Sequence, residues 1–397
     1  MTKVITGIRR CGKSYLLFKL FFRYLLTQGV DEQHIIRIAL DDIVNAELRD
    51  ALKLYKHIRA QIVDNDIYYI FLDEIQYVEK FSDLINGLNH IENTDVYVTG
   101  SNSRFLSTDI LTEFRGRGDE VRVYPLSFAE YLSVYDGSRS EAWKDYYTYG
   151  GMPALFSCAD EGMKADYLRT LFQKVYLSDI LEHNKIKNDS DLDSLMNIIA
   201  SAIGSLTNPH KLANSFKSMV QSSITDKTVK RYLDFLMEAF LVEKAMRYNI
   251  KGRKYIETTS KYYFCDVGLR NARLNFRQQE ENHIMENIIY NELRIRGYSV
   301  DVGVVEVWEI NEGRKQHKQL EVDFVANKGS QRYYIQSAFE MSNRGKEEQE
   351  QRSLNNIDDS FKKIIIVKDD IKMKRNEEGV VTMGIFDFLL QEDSLDF

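Results

Sequence analysis

The sequence predicts an α/β chain built on parallel sheets, and three observations predict it. A short β-type run, Lys3 to Thr6, leads into the octapeptide Gly7-Ile8-Arg9-Arg10-Cys11-Gly12-Lys13-Ser14 and then into a helical run from Ser14 to Leu20. Five large apolar residues in a row, Tyr68 to Leu72, suit a strand buried on both faces, as in a parallel sheet covered by helices. Further β-type runs recur at 304–310, 320–326, 333–338 and 363–368, with a helical run at 283–293 ahead of them. A length of 397 residues fits two or three domains, and 44% apolar content is ordinary for globular cores.

The octapeptide fits G-x-x-x-x-G-K-[ST], a loop that wraps a phosphate chain with its backbone N–H groups. Gly7 and Gly12 permit backbone conformations that a side chain would forbid. The following helix would turn its N-terminus toward the anion. Gly7, Arg10, Gly12, Lys13 and Ser14 are therefore the nucleotide-binding candidates, with Lys13 reaching the β/γ-phosphates of ATP and Ser14 holding Mg²⁺. Asp73 and Glu74 close the buried run at 68–72, at the strand end where open α/β sheets bind ligands. Asp73 is the second candidate Mg²⁺ ligand and Glu74 the candidate general base for water. Taken alone, two acids after a strand also fit a helix cap or a solvated turn. A third β-type run, 95–99, ends in Gly100-Ser101-Asn102, where Asn102 or Ser101 is placed to contact the γ-phosphate or the attacking water. Arg117, with Arg115 in reserve, is the candidate for neutralising transition-state charge, and a salt-bridged surface arginine is the alternative.

Together GIRRCGKS, FLDEIQ at 71–76, VTGSN at 98–102, YPLSFAEY at 124–131 and the Tyr149–Pro153 run resemble the AAA+-type ATPases of bacteria and archaea that carry a C-terminal domain of uncharacterised function. The resemblance covers nearly the whole chain. It implies a parallel-sheet P-loop ATPase core over residues 1–125 and a helical lid over 126–190. Members of that group carry a helical segment before the first strand, whereas this sequence opens at Met1, almost on the strand itself.

Residues 191–270 read as a winged helix-turn-helix. Helical runs at 192–205 and 211–220 precede a third, capped by Thr225, in which Val229, Tyr232, Leu233, Leu236, Met237, Phe240 and Leu241 recur at helical spacing. Two β-like runs, 242–248 and 261–265, follow around Lys251-Gly252-Arg253-Lys254. Residues 192–261 hold 11 Lys and Arg against 6 Asp and Glu, in a chain of net charge −7. Double-stranded DNA is thus a candidate partner, with Lys227, Lys230 and Arg231 toward a groove and Lys251, Arg253 and Lys254 on phosphates. A winged helix that docks a protein partner fits the same pattern.

Residues 271–397 show an α-β-β-α-β order that resembles the restriction-endonuclease fold. In active members a helix Glu, a strand Asp and a [DE]-x-K pair bind metal and activate water. Glu286 and Asp323 match the first two, but the third position is Gln336 and the lysine position is Ala338. A neutral amide is a poor Mg²⁺ ligand and alanine donates nothing, so the expectation is a degenerate site that does not cut DNA.

Net charge −7 argues against a uniformly basic nucleic-acid coat. Cys11, Cys158 and Cys265, odd in number and far apart, imply neither a disulfide framework nor a zinc cluster. No apolar run approaches a membrane span and no signal peptide is visible, so the sequence predicts a cytoplasmic protein.

Overall fold

The computed structural model describes residues 2–100, 118–177, 180, 181, 184, 186, 189–220, 224–278, 280–311, 314–341 and 344–396. They form two compact units, residues 1–125 with 238–240, and residues 126–237 with 241–397.

The first unit is a five-stranded sheet, in which β1 (Thr2–Thr6), β2 (Ile35–Ala39), β3 (Tyr68–Asp73), β4 (Thr94–Thr99) and β5 (Gly118–Arg122) lie in the order β2-β3-β4-β1-β5. All four pairings are parallel. The expected helix after the octapeptide is α1, whose pieces Lys13–Tyr15, Leu16–Phe21 and Phe22–Thr27 follow without a break, the middle one π-helical. Helices α2 (Ala51–Gln61) and α3 (Phe81–Asn89) complete the layers. The uninterrupted apolar run of β3 is buried on both faces. Ile70 and Leu72 pack with Leu54 and Ile58 of α2 and Leu84 and Leu88 of α3 on one side, while Phe71 packs with Leu17 and Leu25 of α1 on the other. The two-residue alternation of a strand distributes them, and because both faces are covered neither face needs polar residues. Parallel pairing brings the C-terminal ends of β1, β4 and β3 to one edge, with β4 in the middle.

The second unit opens with α4 (Phe128–Val134) and α5 (Arg139–Tyr149). Each starts with a capping box, Ser127 with Glu130 and Ser138 with Glu141. The break expected at Gly150-Gly151 is a close packing site. Gly150 has φ 77°, and a Cβ on it would meet Asp266 Oδ1 at 2.3 Å. The N–H of Gly151 donates to Asp266 Oδ2 at 2.7 Å. Next come α6 (Glu161–Thr170), a π-helical turn (Leu171–Leu177), α7 (Asp189–Ser201), α8 (Pro209–Val220) and α9 (Asp226–Glu238). Thr225 caps α9 as expected, accepting from the N–H of Thr228 at 3.1 Å.

The remaining elements are β6 (Val242–Asn249), β7 (Lys254–Phe264), α10 (Val267–Arg273), α11 (Glu281–Ile295), β8 (Ser299–Asn311), β9 (Arg314–Lys328), β10 (Gln331–Ala338), α12 (Arg344–Asn355), β11 (Lys362–Val367), β12 (Lys374–Arg375), β13 (Val381–Gly384) and α13 (Ile385–Leu390). The strands form one mixed sheet in the order β12-β13-β11-β10-β9-β8-β6-β7. This changes the meaning of the β6–β7 hairpin. It is not a free wing: β6 pairs in parallel with β8 through Arg247–Asn249 and Val302–Val304, so the hairpin is the edge of the C-terminal sheet. Nothing in local sequence announces a pairing between segments 55 residues apart.

Candidate functional site

The octapeptide connects β1 to α1, and its backbone explains its glycines. Gly7 (φ 140°), Arg10 (φ 69°) and Gly12 (φ 106°) all have positive φ. A Cβ on Gly7 would lie 2.1 Å from the carbonyl oxygen of Val123. Any side chain there would push the loop off β5's continuation. The thiol of Cys11 is packed beneath the loop, donating to the same Val123 oxygen at 3.4 Å, and burial pushes it above its ordinary pKa. It is a neutral packing group, not an activated thiolate.

Lys13 is only 5% exposed. Its ammonium donates to the carbonyl oxygens of Gly7 at 2.8 Å and Ile8 at 3.0 Å, so the lysine is folded onto its own loop. Ser14 is exposed on the first turn of α1. Asp73 ends β3 and is buried, and its carboxylate accepts from the hydroxyl of Thr99. Thr99 Oγ1 in turn accepts from the N–H of Glu74 at 3.0 Å. This places Thr99, at the end of the intervening strand β4, as a clip between the two acids. Glu74 adopts a left-handed conformation (φ 54°, ψ 52°) and accepts a hydrogen bond from the side-chain amide of Gln76. A non-glycine residue held there is strained, which is frequent where a side chain must be aimed.

Arg9, Arg10, Gly12, Lys13, Ser14, Tyr15, Asp41 and Glu74 line one cavity of about 280 Å³. The structure therefore gathers Arg10, Gly12, Lys13, Ser14 and Glu74 into one place, with Asp73 at the end of the strand that delivers Glu74. Hydroxyl and carboxylate oxygens are the ligand type that Mg²⁺ prefers, and the exposed Ser14 with Asp73, Asp41 and Glu74 offers them. Asp41 and Thr99 were not singled out in the sequence. Asp41 has no motif spacing, and only its position after β2 brings it to the sheet's C-terminal edge. Asn102, Ser101, Arg115 and Arg117 lie outside the described residues.

The cationic residues singled out as candidate DNA contacts fall in two groups. Lys227, Lys230 and Arg231 are exposed on α9, opposite the buried Val229, Tyr232, Leu233 and Leu236. Lys251, Arg253 and Lys254 are exposed on the β6–β7 turn, and Lys251 pairs with Asp358 at 3.3 Å. Lys251 and Arg253 line a cavity of about 590 Å³ with Arg332, Tyr248 and Phe361.

Glu286 of α11 and Asp323 of β9 converge on one ammonium, that of Lys261, and Gln336 lies beside Asp323, its Oε1 accepting from the N–H of Asp323 at 3.4 Å. Ala338 supplies no lysine, but Lys261 on β7 reaches the cluster, with Nζ 2.7 Å from Glu286 Oε1, 2.8 Å from Glu321 Oε1 and 3.5 Å from Asp323 Oδ1. The sequence hides this because the lysine comes from an edge strand that the motif does not include. Among the described residues no helix is long and apolar enough to cross a membrane.

The family model of an AAA domain matches residues 1–132, and models of two domains of unknown function, DUF8612 and DUF4143, match residues 140–280 and 281–386. An uncharacterized protein of Haemophilus influenzae is 34% identical over 395 residues, spanning 98% of this chain and 94% of that protein. An uncharacterized protein of Methanocaldococcus jannaschii is 27% identical over 361 residues, spanning 87% of this chain and 76% of that protein. Among solved structures, the Orc1 protein of Aeropyrum pernix in complex with DNA is 14% identical, with a TM-score of 0.33, over 68% of this chain and 86% of that chain.

Proposed function

We propose that this chain, which belongs to the same family as the Haemophilus influenzae protein and carries an AAA domain of the P-loop ATPase type, is a Mg²⁺-dependent ATP-hydrolysing switch or motor. The observation that carries the proposal is the single cavity at the sheet edge, where the loop lysine, the helix-start serine and the acid after β3 converge. Lys13 exchanges its loop carbonyls for the β/γ-phosphates, and the N–H groups at the start of α1 donate to the phosphate oxygens. Ser14 and Asp73 hold Mg²⁺, which supplies charge neutralisation of the phosphates. Thr99 fixes Asp73 and the backbone of Glu74, so that Glu74 can accept a proton from the attacking water. Asn102 is assigned to the γ-phosphate or the water, and Arg117 to the developing charge.

The test separates binding from turnover. Binding of a fluorescent ATP analogue should be retained in Glu74→Gln and lost in Lys13→Ala, while steady-state phosphate release should be lost in both. Unchanged analogue affinity in Lys13→Ala removes the site assignment, and unchanged turnover in Glu74→Gln removes the base.

A second reading is an ATP-gated regulator that binds double-stranded DNA or a protein partner with little hydrolysis. The exposed cations of α9 and of the β6–β7 turn favour it. DNA retention that weakens with rising salt supports the DNA arm, and no retention at low salt removes it.

A further inference from the structure

The lysine–carboxylate cluster of the second unit is built from α11, β7 and β9, outside residues 1–132 that match the AAA domain, and its geometry has a meaning of its own. Lys261 is 3% exposed, and its ammonium is surrounded by carboxylate oxygens from α11 and β9. We infer that Glu286, Glu321 and Asp323 form a cation site whose resident cation is the ammonium of Lys261, so that the site takes no divalent metal ion.

Space is the first argument. A divalent ion bound by these oxygens would sit about 2.0–2.6 Å from each of them. The nitrogen already lies 2.7 and 2.8 Å from two of them, so ion and ammonium would occupy nearly the same point with like charge. The remaining oxygens have other duties. Glu286 Oε1 also accepts from the hydroxyl of Tyr263 at 2.6 Å, and Asp323 Oδ2 accepts from the N–H of Ser337 at 2.8 Å. Glu286 Oε2 faces His283 Nδ1 at 3.8 Å. That side is walled by Gly204, where a Cβ would come within 3.0 Å of Glu286 Oε2 and 3.1 Å of His283 Nδ1.

Charge is the second argument. One ammonium does not balance three carboxylates, but protons can close the difference. Burial pushes Asp323 up to about 7, against the pull of Lys261, and the hydrogen bond to Glu286 raises His283. Glu286 is held below its ordinary value, because Lys261 and its hydrogen bonds outweigh its burial. The cluster works as a fixed staple that holds the edge strand β7 to α11 and β9, and the position it fills is closed to a divalent metal ion.

Manganese(II) binding to the full chain without nucleotide, counted by electron paramagnetic resonance, tests this. The unaltered chain should bind the same amount of Mn²⁺ with and without Glu286→Gln. The Lys261→Met chain should gain about one Mn²⁺, lost again when Glu286→Gln is added, because the neutral stem vacates the cation position. Mn²⁺ bound by the unaltered chain that falls with Glu286→Gln overturns the inference, as does Mg²⁺-dependent plasmid cleavage lost in the same variant. A folded Lys261→Met chain that gains no Mn²⁺ also overturns it. Should Lys261→Met not fold, the unaltered chain with and without Glu286→Gln decides alone.

Discussion

Among the described residues two buried lysines, Lys13 and Lys261, face carboxylates, and their environments are opposite in kind. Lys13 leans on two neutral carbonyl oxygens, with acids across an open cavity of about 280 Å³. Lys261 is surrounded by carboxylates, and the site closes on itself. A lysine held by neutral acceptors can leave them for a phosphate at small cost. A lysine held by buried ionised partners cannot, because its departure leaves uncompensated charge in a low-dielectric interior. On the proposed function the first arrangement is open to an anionic ligand, and on the inference above the second is complete.

Substitutions can break or sharpen this contrast. The largest effect is expected from Glu74→Gln, which should lower ATP turnover by roughly 10²–10⁴-fold, read by phosphate release. Lys261→Met should cost about 3–5 kcal/mol in chemical denaturation by stranding buried carboxylates. Lys13→Ala should change stability far less, because only hydrogen bonds to carbonyls are lost. Equal destabilisation by the two lysine changes would erase the distinction between open and closed sites.

A smaller effect follows from pH. Burial raises Asp323 to about 7 and Asp266 to about 6, although Lys261 opposes the first and backbone N–H groups oppose the second. A carboxyl whose pKa is raised by folding binds its proton more tightly in the native state. Its contribution is fully present below the unfolded value near 3.9 and is lost as pH rises through the folded value. Unfolding midpoints measured from pH 4 to pH 8 should therefore fall more steeply in the parent than in an Asp266→Asn, Asp323→Asn double variant. Parallel curves would mean that neither acid holds a proton in the native state. The smallest effect is Ser127→Ala, which removes one half of a capping box and should cost about 1 kcal/mol in the same denaturation experiment.

The first unit was largely legible because its signals are contiguous. Residues 7–14 form one loop and the first helical residues after it, and residues 68–74 form one strand with its two acids, so sequence neighbours are also spatial neighbours. Thr99 and Asp41 were not legible, because only the sheet order brings the ends of β4 and β2 beside Asp73. The second unit was legible in its helices and strands but not in its pairing. The helical spacing of α9 from Val229 to Met237 and its Thr225 cap read directly from the residues, but Phe240 and Leu241 of the expected run lie beyond the helix end at Glu238, Phe240 with φ 57°. The union of β6 with β8 and the reach of Lys261 to Asp323 depend on contacts across tens of residues. Polar residues on α9 and on the β6–β7 turn look alike in sequence whether they face DNA, a protein or water.

The most direct test of the account is ATP turnover by the purified full chain, measured beside Lys13→Ala and Asp323→Asn in one assay. The account predicts phosphate release that is lost with Lys13→Ala and kept with Asp323→Asn. Turnover that survives Lys13→Ala, or disappears with Asp323→Asn in a folded protein, would contradict the assignment of an open nucleotide site and a closed lysine–carboxylate cluster.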